Sequence, residues 1–170
     1  PIKNLRRADF IFLTKSNNSD RLRHLRRFLQ SHNPQAKIIE CNHEPRYLQD
    51  VNDHALRLDL SALAGKRVAA ISAIAVPTSF EQYLESLGAT VVYRKRYLDH
   101  HRYHPDELAD FCRQGQKAGA ELLLTTEKDA VRLPVLPTGH LPSFFLRVEI
   151  VILKGQEYLD HCISQICLGW

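Results

Sequence analysis

The sequence predicts an α/β layered fold with a mainly parallel β-sheet flanked by helices. Apolar runs of strand length alternate with stretches whose apolar residues recur at helical spacing. The segments joining successive strands have roughly the length that a parallel crossover requires. Proline and glycine punctuate the junctions, as at Pro34, Pro77, Gly88, Pro105 and Gly119.

Residues 9–14 form a short continuous apolar run, which reads as a buried strand. Ser16, Asn18, Ser19 and Asp20 then offer N-cap chemistry, and Leu22, Leu25, Phe28 and Leu29 line a helix. That helix should stop before Asn33-Pro34. Residues 37–41 read as a strand. Residues 43–60 are polar and weakly periodic, the pattern of a linker with some extended structure.

From Gly65 the pattern sharpens. Residues 67–74 read as a strand broken by Pro77, and Thr78 or Ser79 is expected to cap a helix carrying Phe80, Tyr83, Leu84 and Leu87. Gly88 would close that helix in a left-handed conformation. Residues 90–93 form the next strand. Pro105 suits a first helical position, with Asp106 and Glu107 facing the positive end of the dipole. Leu108, Phe111 and Cys112 line this helix, and Gly119 ends it. A strand over 121–125, a loop marked by Pro134, Pro137, Gly139 and Pro142, a strand over 144–153 and a helix over 156–168 complete the chain. The expected division is 1–42 as a strand–helix–strand segment, 43–60 as linker and 61–170 as an α/β domain.

The 170 residues begin at Pro1 and include no methionine, so the start of a longer product is expected to be missing. No apolar run approaches the roughly 20 residues of a membrane-spanning helix, and no signal peptide is visible. Cys41, Cys112, Cys162 and Cys167 have no paired spacing and read as free, buried thiols. The net charge of +4 permits anionic partners without choosing among them. Arg21, Arg23, Arg26 and Arg27 form the densest basic cluster. They read as the solvated face of an amphipathic helix, with contact to an anionic membrane as the alternative.

Three polar segments each follow a predicted strand, and parallel strands release such segments at one carboxyl edge, where ligands bind. The first is Ser72-Ala73-Ile74-Ala75-Val76-Pro77. The second, Asp99-His100-His101, pairs imidazoles with a carboxylate that can orient one of them as a proton acceptor. Neighbouring side chains point to opposite sides, so at most one histidine faces the site. Two surface histidines are the plainer alternative. The third, Thr125-Thr126-Glu127-Lys128-Asp129, offers a cation for phosphate and helix amides for an anion, or simply a capped short helix. No Walker A loop, GxGxxG, serine nucleophile elbow or HExxH is present. This segment therefore lacks the usual amide cradle for a nucleoside triphosphate.

These residues resemble the tetraacyldisaccharide 4′-kinase family, a group of P-loop lipid kinases. Leu5-Arg6-Arg7-Ala8-Asp9 is similar to the family's "L-x-R-A-D" strand. Residues 70–88 resemble its "GI-x-x-P-x-x-F-x-x-x-L-x-x-L-G" stretch, Asp99-His100-His101 with Tyr103 its "D-H-H-x-Y" loop, and residues 125–133 its "T-T-E-K-D-A-V-R-L" segment. Order and spacing agree from about residue 5 to 153. The chain departs from the pattern at Ala73, Ala75 and Val76, where the family usually has glycines and a polar residue.

The resemblance implies transfer of the ATP γ-phosphoryl group to the 4′-hydroxyl of a tetraacylated disaccharide phosphate in lipid A synthesis. It implies ATP and Mg²⁺ held mainly by an N-terminal half, of which residues 1–42 would be the end. It places the enzyme peripherally at the cytoplasmic face of the bacterial inner membrane, with a glycolipid substrate and no nucleic-acid partner. His100 is the implied catalytic histidine, with Asp99 orienting the loop, and Thr126, Glu127, Lys128 and Asp129 lining the substrate side. On its own the segment is expected to be inactive. The rival readings are a non-catalytic phosphate- or lipid-binding module and a D-H-H metal-dependent phosphoesterase. The latter would need further acidic ligands for two cations.

Overall fold

The structure, a computed structural model, describes residues 2–16, 20–99, 101–135 and 140–168, apart from the side chains of Arg21 and Leu168. The expected cap residues Asn18 and Ser19, the loop residues Pro137 and Gly139, and His100 lie outside the described residues. A 3₁₀ turn at Ile2–Arg7 leads into β1 (Phe10–Leu13), α1 (Asp20–His32), β2 (Lys37–Asp50) and the short β3 (Arg57–Leu58). A second 3₁₀ turn, Leu60–Leu63, precedes β4 (Arg67–Ser72), α2 (Pro77–Ser86), β5 (Thr90–Arg96), α3 (Pro105–Lys117) and β6 (Leu122–Thr126). The chain ends with α4 (Glu127–Ala130), β7 (Ser143–Lys154) and α5 (Gln156–Leu168).

These are the α/β arrangement and mainly parallel pairing that the sequence predicts. β1 runs parallel to β2, β4 to both β5 and β6, and β6 to β7, while β3 alone among the assigned registers is antiparallel, against β2. Two local expectations need correcting. Pro77 does not merely break β4. It occupies the first turn of α2, whose N-cap is Val76 with no side-chain cap, and the Ser79 hydroxyl donates back to the Val76 carbonyl (2.7 Å). The fixed φ of proline suits that position and its missing N–H costs nothing there. Residues 43–50, placed in the linker, continue β2. Leu48 and Gln49 are buried and pair with Leu58 and Arg57 of β3, so strand structure persists through a polar sequence.

The chain divides into two compact units, 1–44 with 149–170, and 45–148, and both β2 and β7 contribute to each. In the smaller unit Leu13, Leu29 and Ile38 form the core. Its basic helix is partly engaged: Arg26 donates to the buried Glu40 (2.8 Å), which Lys154 also approaches (3.7 Å), and Arg23 pairs with Asp20.

In the larger unit the strands run β3-β2-β7-β6-β4-β5, with apolar residues on both faces. Alternation along β4 sorts them: Val68 and Ala70 join Phe80 and Leu84 of α2, whereas Ala69 and Ile71 join Leu108, Phe111 and Cys112 of α3. This two-sided burial explains why β4 reads as a continuous apolar run. Gly88 (φ +86°) closes α2, as expected, and a Cβ there would lie 3.2 Å from the Ala64 Cα.

α2 is also joined to β5 by charge. Glu81, buried in α2, accepts from Arg96 Nε and Nη2 (both 2.7 Å) and from Arg94 Nη1 (3.3 Å). The Arg96 hydrogen bonds hold its carboxyl below the ordinary 4.5, against the opposing effect of burial. A depressed native pKa contributes stability above the unfolded value and loses it as pH falls through the native one. Glu81→Gln should therefore cost about 1–3 kcal/mol at pH 7. The gap to the parent protein should shrink below pH 4.5. Urea midpoints at the two pH values measure it, and an equal gap at both would contradict the assignment.

Candidate active site

Because β5, β4 and β6 are parallel neighbours, the segments that follow them leave the sheet at one edge. They meet at a single buried carboxylate. Asp129, in α4, is fully enclosed, and its Oδ2 accepts from the Ala73 amide (3.1 Å) in the segment after β4. The same oxygen accepts from the Thr126 hydroxyl (2.7 Å), and Thr126 Oγ1 accepts in turn from the Asp129 amide (3.2 Å) as the N-cap of α4. Arg132 Nη1 stands 4.0 Å from Oδ1. From the segment after β5, Tyr103 lies against this carboxylate without a hydrogen bond of ordinary geometry. Burial first, and then the Asp129 charge, push its phenol upward in pKa.

The segment after β5 has its own fixings. The Tyr97 amide donates to the Ser72 carbonyl (2.9 Å), tying it to the end of β4. His101 stacks on Tyr97 (ring centroids 4.2 Å apart, planes at 15°) and meets Tyr103 edge-on. Its Nε2 donates to Glu107 Oε2 (3.0 Å), and Glu107 accepts as well from the His104 amide (2.9 Å) at the start of α3. The His104 amide, then the imidazole, hold the Glu107 carboxyl below its usual range. His101 is thus a fixed part of the loop. Asp99 is exposed, and His100 lies outside the described residues.

The four residues of the turn after β6 are in different surroundings. Thr126 and Asp129 bond to each other and to the loop after β4. Glu127 pairs with Arg147 on β7. Lys128 is exposed and forms no ion pair among the described residues. Ala73 and Ala75, at the family's glycine positions, have no positive φ; among the described residues only Lys15 and four glycines do. Alanine is therefore compatible with this backbone.

A family model described as tetraacyldisaccharide-1-P 4′-kinase matches residues 1–167. This chain belongs to that family. Among relatives named tetraacyldisaccharide 4′-kinase, that of Anaeromyxobacter dehalogenans (strain 2CP-1 / ATCC BAA-258) is 38% identical over 166 residues, covering 94% of this chain and 43% of its own. That of Syntrophus aciditrophicus (strain SB) is 37% identical over 131 residues, 77% of this chain and 34% of its own. The crystal structure of "apo" form LpxK from Aquifex aeolicus in complex with ATP shares the fold, with a TM-score of 0.60 at 22% identity over 98% of this chain and 45% of that one. The chain therefore spans less than half the length of these kinase relatives.

For this member of the 4′-kinase family, the described residues supply no phosphate-cradling glycine loop and no group of three or more His, Cys, Asp or Glu able to hold a metal. They do not fit an ATP–Mg²⁺ site. No helix among the described residues is long and apolar enough to cross a membrane.

The motif marked Asp129 as a candidate site residue and gave no sign of its enclosure. Tyr103 and the Ala73 amide come to it from distant positions in sequence. Asp129→Ala should leave that amide and the Thr126 hydroxyl without their buried acceptor, costing about 1–3 kcal/mol. Thermal or urea unfolding of the variant measures this, and an unshifted midpoint would remove Asp129 from its joining role.

Proposed function

We propose that this chain is part of a lipid kinase that transfers the γ-phosphoryl group of ATP to the 4′-hydroxyl of tetraacyldisaccharide 1-phosphate in lipid A biosynthesis. Its acceptor would be a glycolipid met peripherally at the cytoplasmic face of the inner membrane. The family match over nearly the whole chain carries the reading. The convergence of three loops at one sheet edge supports it. ATP and Mg²⁺ would be held chiefly by residues outside these 170, where Mg²⁺ supplies charge neutralisation on the phosphates.

His100 is assigned as the group that takes the proton of the sugar hydroxyl, and Asp99 as the residue that orients its loop. The engagement of His101 with Glu107 and Tyr97 favours giving that role to the other histidine. Lys128, exposed and without an ion pair among the described residues, is assigned to the anionic groups of the reactants. Glu127 lines the substrate side beside Arg147. Thr126 and Asp129 hold the turn that presents both, and the fixed Asp129 carboxylate keeps the loops after β4 and β6 in register for phosphoryl transfer.

In the full-length protein, His100→Ala should lower kcat about 10²- to 10⁴-fold while the KM for ATP stays within about twofold. Steady-state assays with tetraacyldisaccharide 1-phosphate measure both constants. An unchanged kcat would refute the role of His100.

A further inference from the structure

The larger unit contains a second feature, a cleft that shares the Glu127 turn with the candidate active site. The cleft, of about 500 Å³, is lined by Tyr47 and Gln49 of β2, Arg57 of β3, Phe145 and Arg147 of β7, His54 and the Glu127 turn. Its size is that of a small-molecule site. Tyr47 and Gln49, like Phe145 and Arg147, are spaced by two along their strands, so each pair presents to one face of the sheet.

Arg57 is held in place without having its charge neutralised. Gln49 is 4% exposed, and its Nε2 donates to the carbonyls of Asp53 (3.2 Å) and Leu56 (3.0 Å), fixing the turn before β3. Gln49 Oε1 accepts from Arg57 Nε (3.1 Å). The guanidinium then lies over the Tyr47 ring, 4.6 Å from its centroid. Among the described residues no carboxylate pairs with it. The nearby acids face elsewhere, since the Asp50 carboxylate accepts from the Asn52 and Asp53 amides and that of Asp53 from the Ala55 amide.

Arg147 adds a second guanidinium. It pairs with Glu127 through Nη1, while its buried Nε has no acceptor. The cleft thus carries two arginines against one carboxylate, with His54 at its margin. A planar guanidinium fixed through Nε keeps its terminal N–H groups for a bidentate acceptor, which is the geometry of a phosphate oxygen pair.

We propose that this cleft binds a phosphate monoester through Arg57 and Arg147, and that its occupant is the 1-phosphate of the glycolipid acceptor. The identity of the occupant rests on the kinase reading above; the phosphate chemistry rests on the cleft alone. The site holds the end of the acceptor that does not react, and so acts on KM.

Two experiments on the full-length protein separate these levels. In the first, Arg57→Ala is assayed against tetraacyldisaccharide 1-phosphate and the same disaccharide without its phosphate. The KM for the phosphorylated acceptor should rise about 10- to 100-fold, with kcat and the KM for ATP within about twofold, and the KM for the other acceptor should not move. Arg57→Lys, which keeps the charge and loses the fork, should recover only part of the loss. An unchanged KM, or equal losses on both acceptors, would overturn the subsite. In the second, inorganic phosphate is titrated into ¹⁵N-arginine-labelled protein. Saturable shifts of the Arg57 and Arg147 Nε resonances, absent from a folded Arg57→Ala protein, are expected, and their absence from the parent would overturn phosphate binding. A parent protein that binds phosphate here yet transfers no phosphoryl group would leave the cleft standing and remove the kinase reading with its occupant.

Discussion

The carboxylate of Asp129 is the constraint on which the candidate site depends. It is enclosed at the end of the parallel strands, where a charge is tolerated only if hydrogen-bonded or paired. Its partners are distributed so that the requirement becomes architectural. The Ala73 amide binds it from the loop after β4, Thr126 from the turn after β6, and Tyr103 packs on it from the segment after β5. The Asp129 Oδ2 thus joins the loop after β4 to the turn after β6, and Tyr103 packs against that junction. The turn after β6 also carries Lys128, which is assigned to the anionic groups of the reactants.

A second tier of contacts works on the histidine loop itself. Glu107 joins the His104 amide to the His101 imidazole, and so ties the start of α3 to the aromatic pair Tyr97 and Tyr103. One histidine is thereby part of the scaffold. The motif's two adjacent imidazoles divide between holding the loop and, in the proposed reaction, accepting a proton.

The sequence made the layer order legible because two-sided burial leaves strong marks. The apolar run of β4, the glycine after α2 and the Pro-Asp-Glu start of α3 each follow from a local rule, and the structure agrees with each. The continuation of β2 past residue 43 was not legible, since its pairing with β3 is set by Gln49 and Arg57, polar residues that periodicity reads as linker. At the site, Thr126 announced itself as a cap and served as one. Asp129 was expected on the substrate side of a capped turn; its distant partners make it an internal anchor. Gln49 and Arg57 carried no motif, and nothing local in the chain marks them as neighbours of Arg147.

The division of the chain has a consequence for the order in which it is made. Residues 45–148 are contiguous, whereas the smaller unit combines 1–44 with 149–170. On a ribosome the contiguous part can close as soon as it has emerged, because domains generally fold as units from the N-terminus onward. Residues 1–44 can meet residues 149–170 only after that contiguous part has been made. Translation thus imposes a sequence of events in which the inserted unit can mature before the two segments that flank it are brought together.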